Sequence, residues 1–406
     1  MGMVHVDNLE VDMVLSEDVK DIKSRLLLAK GNKIQSKHIR IFKIWGITEV
    51  GVTGGQDEKN QSESNIDPNK LEEITEETKH MFKHVDLSHP ALKELFRISI
   101  LHRSRQEINN GEKITLTGGD DLRDHSIYNI KKMIANKDIK LPEMPSTAFE
   151  LNDIVEDPTA SVHSIAEVVN RSPSLTTLLL RIVNSSFYGF PSKINNISRA
   201  VTIIGTREIT GLALGLSIVK AFKDIPEEIL DMSSFLRHSI ACGIISRILA
   251  ANKNIPQTEQ MFVSGLLHDI GRLIIYQYFP DQAKTLLNLS ATSDKLLYQQ
   301  ENSILGGNHT LIGKYLLKTW KLPLELENNI FFHHNPSAAH DPIQAAIVHL
   351  ADIMVNALRL GSSGERFVPN FDDKAWDNLD ISPSIFETTI QHAVHQLVPL
   401  ESFFQG

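Results

Sequence analysis

The sequence predicts a mainly α protein, a multi-helix bundle preceded by a small β-rich N-terminal domain. Two observations carry this. From Ile127 onward apolar residues recur at three- and four-residue spacing, with breaks at Pro142, Pro145, Pro158, Pro173, Pro191, Pro226, Pro256 and Pro323 and no strand-like alternation. From Val4 to Thr53, by contrast, short apolar runs alternate with polar turns.

Taken in order, Met13-Val14-Leu15, Leu26-Leu27-Leu28 and Val50-Gly51-Val52 are predicted strands, and Lys37 to Trp45 a short helix, giving a domain over residues 1–54. Gly54 to Asn69 holds one aliphatic residue, Ile66, among small and charged ones, so residues 55–69 are expected to be a linker. Residues 70–126 form a helical connecting segment: Lys70 to Gln106 is helical in pattern, and Glu107 to Asp121 is a polar connection with at most one strand. Residues 127–406 are the all-helical domain, with buried helices expected at Ser174 to Val183 and Ile197 to Ile204.

The chain has 406 residues, with 41 Lys+Arg against 50 Asp+Glu for a net charge of -9, and 41% hydrophobic residues. That acidic balance argues against nucleic acid or an anionic membrane as the main partner, since both attract clustered Lys and Arg. No window approaches the run of about 18 apolar residues that a bilayer span requires. The N-terminus lacks a basic stretch followed by an apolar core, so no secretion signal is expected. The single cysteine, Cys242, sits in an apolar stretch and cannot form an intrachain disulfide. A cytoplasmic location is the expectation.

Candidate chemistry lies where polar residues interrupt apolar helices. Phe262 to Ile275 places His268 and Asp269 side by side in a strongly apolar run, and Ile347 to Met354 carries Asp352. A buried carboxylate needs a cation, a metal or strong donors, because leaving it unpaired costs several kcal/mol. Helical spacing turns His238 inward with Ala241, Cys242 and Ile245. His309 shares a face with Ile312, Leu316 and Trp320 on a helix that Asn308 can cap, and His333-His334 ends another helix. Imidazole nitrogens with carboxylate oxygens suit one or two divalent ions, Fe, Mn, Zn or Ni.

In this order, His238, His268-Asp269, His309, His333-His334 and Asp352 resemble the HD superfamily of metal-dependent phosphohydrolases. Leu141 to Pro145, Pro173 to Ser185, Ile197 to Gly205, Gly265 to Leu273, His309 to Gly313 and Trp320 to Pro323 together look like the HDOD domain, the HD-related output domain of bacterial signalling proteins, with an HD-like core at about residues 230–360. Asn8 to Val52 is similar to a segment found ahead of HD-GYP domains. The resemblance implies a bacterial signal-transduction protein with a protein partner, retaining the metal-ligand set His238, His268, Asp269, His309, His333, His334 and Asp352. The alternative it implies is an active phosphohydrolase on a nucleotide or cyclic dinucleotide, with Asp269 and Arg272 as the catalytic pair.

Three departures point to a degenerate enzyme. Ser234 stands where HD-GYP relatives carry Glu, Arg272 where they carry Lys, and Asn335 to Pro342 lacks the Gly-Tyr-Pro signature. Among weaker signals, His80 and His84 read as a solvated face, and Glu301, eight positions before His309, as either a support for that histidine or a surface residue. The loop Phe187-Tyr188-Gly189-Phe190 is a candidate contact surface, with inward packing as the alternative.

Overall fold

The computed structural model describes residues 2–6, 9–20, 26–44, 47, 49–53, 68–109, 129–136, 141–157, 160–185, 188, 190, 192–222 and 225–400. Near the N-terminus lie β1 (Gly2–His5), β2 (Val19–Lys20), β3 (Leu26–Leu28), α1 (Ser36–Ile44) and β4 (Glu49–Val52). β1 pairs antiparallel with β4, and β2 with β3. Val4, Leu15, Ile34, Phe42, Val50 and Val52 form a small core of their own. Two expected strands, β3 and β4, are present. Met13 to Leu15 instead contributes only isolated bridges, Val14 to Lys33 and Leu15 to Val52. β2 has just two residues, too few to display alternation in a sequence.

The linker expected at 55–69 lies almost wholly outside the described residues, as do 110–128 of the polar connection. The helical run expected from Lys70 to Gln106 is two helices, α2 (Pro68–Met81) and α3 (Pro90–Asn109). Between them Asp86 accepts hydrogen bonds from the backbone N–H and hydroxyl of Ser88, closing a turn that Pro90 then leaves as the first residue of α3. α4 (Ile130–Asn136) follows.

A first layer of the helical body comprises α5 (Ser146–Glu156), α6 (Val162–Asn170), α7 (Pro173–Val183), α8 (Ile197–Ile204) and α9 (Thr206–Val219). Side chains of Ser161, Ser172 and Asn196 cap the N-termini of α6, α7 and α8, so the proline and polar punctuation marks true helix starts. The second layer is built from α10 (Met232–Asn252), α11 (Thr258–Leu267), α12 (Ile270–Tyr278), α13 (Pro280–Thr292), α14 (Leu297–Leu305), α15 (His309–Thr319), α16 (Leu324–Phe332) and α17 (Pro342–Leu358). α18 (Asp373–Leu379) and α19 (Phe386–Leu397) close the chain. α10 and α17 are buried over most of their lengths and pack on each other and on α11, while α12 packs on α15 and α9 bridges to α11. One hydrophobic core runs from α2 to the C-terminal helices. No strand occurs among the described residues beyond 53.

Candidate metal centre

Five segments deliver seven polar side chains to one point of this core. His238 comes from the middle of α10, and Asp352 from the middle of α17. His309 is the first residue of α15, whose N-terminus the Asn308 side chain caps by accepting from Leu311 N–H at 3.2 Å. His333 and His334 follow the last turn of α16. The apolar run from Phe262 to Ile275 reads as one helix, yet the chain breaks between α11 and α12 at His268 and Asp269, where Asp269 has φ -99° and ψ 14°. The break swings Asp269 into the same space as the ring of His268. Gly271 then lets α12 lie against the backbone of His309 and Gly313, an approach that any β-carbon would obstruct.

The ligand atoms crowd in two sets around the two oxygens of Asp269. On one side, Asp269 Oδ2 lies 3.3 Å from His268 Nε2 and 3.7 Å from His238 Nε2. Asp352 Oδ1 lies 3.3 and 3.5 Å from the same two nitrogens, which are 3.3 Å apart. On the other side, Asp269 Oδ1 is 3.1 Å from His309 Nε2 and 3.9 Å from His333 Nε2, with 3.4 Å between the two nitrogens. His334 lies beside His333, with ring centroids 4.1 Å apart and the rings tilted by 44°. His238, His268, His309 and His333 are wholly buried, and Asp269 and Asp352 nearly so.

The protons decide what this arrangement wants. His268 Nδ1 is 2.7 Å from the Gly265 carbonyl, His333 Nδ1 is 2.7 Å from the Ile330 carbonyl, and His309 Nδ1 is 2.6 Å from Glu301 Oε2. Each Nδ1 therefore carries the hydrogen, because its neighbour can only accept. In the neutral rings the three Nε2 atoms are then bare lone pairs, and they face the oxygens of Asp269 and Asp352, acceptor against acceptor. Among the described residues Asp269 Oδ1, His238 Nδ1 and His334 Nε2 have no hydrogen-bond partner. Only a cation or added protons relieve such a cluster.

Burial resists charging these groups, but their neighbours win at several of them. Burial acts to raise Asp269, yet Arg272, His268 and His309 hold it well below the usual carboxylate range. Asp352 is likewise held low, against its burial, by hydrogen bonds with His238 and His268. For the imidazoles burial acts downward, and it prevails at His238, at His334 and at His333, which falls to about 3. At His268 the surrounding Cys242 and Asp269, and at His309 Glu301, overcome burial and raise the ring.

Supporting groups surround the seven. Glu301 is 1% exposed: its Oε2 accepts from both the Nδ1 and the backbone N–H of His309, and its Oε1 accepts from Arg272 Nε at 3.2 Å. Arg272 donates also to Asp269 Oδ2 at 3.1 Å and to Ser363 Oγ at 2.6 Å. Asn356, one turn after Asp352, donates to its Oδ1 at 2.7 Å. His349 Nδ1 donates to the backbone carbonyl of His333 at 2.6 Å, while its Nε2 accepts from Asp372 N–H. Sequence reasoning flagged Glu301 only weakly and missed Ser363, Asn356 and His349; the i, i+4 spacing of Asp352 and Asn356 was the one available signal for the last helix.

The donor set fits a divalent metal by its chemistry, with imidazole nitrogens and carboxylate oxygens in mutual reach. Three groups able to hold an ion occur among the described residues: His309 with His333 and His334, His238 with His268 and Asp269, and His268 with His333 and Asp352. All seven expected ligands are thus brought together. Arg272 joins them through Asp269, with its hydrogen bonds directed at protein groups. Ser234, at the position of the missing Glu, is roofed over: its carbonyl accepts from Ser362 N–H, and Gly361, at φ 82°, passes so near that a β-carbon would meet Ser234 O and lie 2.5 Å from His238 N. His80 and His84 lie away from the centre, their rings against Phe367. Phe187 and Gly189 fall outside the described residues, while Tyr188 packs on Phe190 and against the buried Arg247.

Residues 141–336 match the HDOD domain family. The chain carries an HDOD domain. Its matched stretch includes His238, His268, Asp269, His309, His333 and His334, whereas Asp352 is supplied by α17 beyond it. The chain is 25% identical over 203 residues to an uncharacterized protein of Treponema pallidum (strain Nichols), a match covering 50% of this chain and 39% of that protein, so it spans well under two thirds of the relative. An HDOD domain protein of unknown function from Geobacter sulfurreducens is similar in structure, with 22% identity, a TM-score of 0.52 and coverage of 68% of this chain and 95% of that one. A protein from Shewanella amazonensis SB2B, provisionally named a phosphohydrolase, gives 21% identity, a TM-score of 0.52 and coverage of 68% and 98%. Both share the fold of the HDOD body. No helix among the described residues is long and apolar enough to cross a membrane.

Proposed function

We propose that this chain is a signal-transduction protein whose HDOD domain holds a divalent metal ion in a closed His/Asp centre and acts on a protein partner through packing. One observation supports the reading: the Nε2 atoms of His268, His309 and His333 face the oxygens of Asp269 and Asp352 at 3.1 to 3.9 Å, a gathering of imidazole nitrogens and carboxylate oxygens that suits a divalent cation. His238, His268, Asp269 and Asp352 would hold one ion, and His309, His333, His334 and the other oxygen of Asp269 a second. The closure of the centre favours output over turnover, because six of the seven side chains are buried, His334 being the exception, and Gly361 and Ser362 cover the Ser234 side. Protein purified from cells without chelator should contain at least one transition-metal ion per chain by elemental analysis. Metal-free protein that takes up none on dialysis against Mn, Fe or Zn would end this reading.

A second reading, metal-dependent hydrolysis of a nucleotide or cyclic dinucleotide, is favoured by the convergence of five imidazoles and two carboxylates and by His334, which is only partly buried. A bound divalent ion would supply Lewis acidity toward a phosphate ester. Asp269 would orient both ligand sets, and Arg272 would hold Asp269 in place rather than touch substrate. Hydrolysis products formed from a panel of nucleotides and cyclic dinucleotides, resolved by chromatography and lost in Asp269→Ala, support this reading; no turnover by the metal-loaded chain leaves the output role.

A further inference from the structure

We infer that Glu301 and Arg272 form a positioning pair that fixes His309 and Asp269 in ligand geometry before any ion arrives, an inference that rests on the metal-binding reading above. The two residues close a chain of hydrogen bonds across the back of the centre. Glu301 Oε2 takes both the Nδ1–H and the backbone N–H of His309, at 2.6 and 2.8 Å, so the ring can neither rotate nor change tautomer without losing an acceptor. Its other oxygen takes Arg272 Nε at 3.2 Å, and Arg272 in turn reaches Asp269 Oδ2 at 3.1 Å. Ser363 anchors the same guanidinium at 2.6 Å.

Geometry rather than charge is what the pair contributes. Glu301 and Arg272 are 1% exposed and pinned by packing, so their atoms have one arrangement to offer. A lysine at 272 would keep the positive charge, but one compact ammonium cannot span Glu301, Asp269 and Ser363 as a planar fork does. An aspartate at 301 would keep the negative charge, but it falls one methylene short of His309. Charge-conserving changes therefore separate positioning from simple electrostatics.

The test is cobalt(II) affinity of the full chain, measured by chelator competition, for wild type, Glu301→Asp, Glu301→Gln and Arg272→Lys, alongside the imidazole 15N spectrum of the metal-free chains. Glu301→Asp and Arg272→Lys should each bind cobalt about 10- to 100-fold more weakly, the usual cost of losing a group that orients a ligand. The signal of the His309 Nδ1–H hydrogen-bonded to Glu301, which wild type shows whether the ring is neutral or protonated, should be lost in Glu301→Asp. Glu301→Gln keeps the side-chain shape, so its expected loss of affinity stands even where Glu301→Asp fails to fold. Wild-type binding with Glu301→Asp and Arg272→Lys within about threefold of it would overturn the pair alone. Wild type that binds no cobalt would overturn the metal reading and the pair together.

Discussion

Gly271→Ala isolates the close approach on which the centre depends. In the native packing a β-carbon at 271 would collide with the carbonyl oxygen of His309 and lie 2.9 Å from Gly313 N. Ordinary contacts begin near 3.4 Å, and both neighbours are backbone, so relief requires α12 and α15 to move apart. Alanine gains about 1 kcal/mol of intrinsic helix preference over glycine. Overpacking a filled interior costs about 1 to 3 kcal/mol, and here no flexible side chain can yield, which puts the cost at the upper end. The net expectation is a destabilisation of about 1 to 2 kcal/mol. His309 also moves away from Asp269 Oδ1, now 3.1 Å distant, so metal affinity should fall with stability. Denaturant unfolding of the variant, with metal titration beside it, measures both. A variant as stable as wild type with unchanged affinity would refute the argument that Gly271 sets the α12–α15 separation.

Chelation should lower the melting temperature: an ion at a hundred times its Kd adds about 2.7 kcal/mol, and equal melting curves with and without added metal would contradict this. Burial pushes the Glu365 carboxyl up to about 7, against the pull of Arg272 and of the backbone N–H groups of Phe367, Leu297 and Arg366. A raised folded pKa contributes stability that is full below the unfolded value and lost as pH rises through about 7, so the stability deficit of Glu365→Gln should shrink between about pH 5 and 8, by up to roughly 3 kcal/mol; denaturation at several pH values that gave a constant deficit would sink this assignment. Phe367→Ala removes a buried ring that His80 and His84 pack against and that Lys83 overlies. It should cost about 3 to 5 kcal/mol and speed hydrogen exchange in α2, and protection there equal to wild type would count against that contact.

The sequence made the convergent His and Asp residues legible because burial of polar groups is legible. His268 and Asp269 interrupt a run of apolar residues, and Asp352 sits in another, so each advertised a need for a partner. Asn308 announced the start of α15 by the ordinary chemistry of capping. The break between α11 and α12 was hidden, since no proline marks it, Gly265 lies inside α11, and the apolar pattern continues across it. Glu301 was ambiguous because it sits within the polar run Gln299-Gln300-Glu301-Asn302-Ser303 of α14, which reads as a solvated face, and only the fold turns Glu301 inward. Gly361, Ser363 and Glu365 follow α17 in an irregular segment, where no periodicity links a residue to a distant site.

Charge balance explains why the centre is unfinished as protein alone. Asp269, Asp352 and Glu301 are each held below the ordinary carboxylate range, so they contribute three negative charges, and Arg272 contributes one positive. Two negative charges remain in a region almost without exposure to water. Two protons could balance them, and the two imidazoles pushed upward, His268 and His309, are where those protons would sit. One divalent ion would balance the same charge, with the imidazole nitrogens and the oxygens of Asp269 and Asp352 as the groups to hold it. Protons serve that need at those two rings but leave His238, His333 and His334 neutral, with pKa values pressed down by burial. Neutral imidazole is the form that ligates a metal, so His238, His333 and His334 would bind an ion without losing a proton, whereas His268 and His309 would each release one.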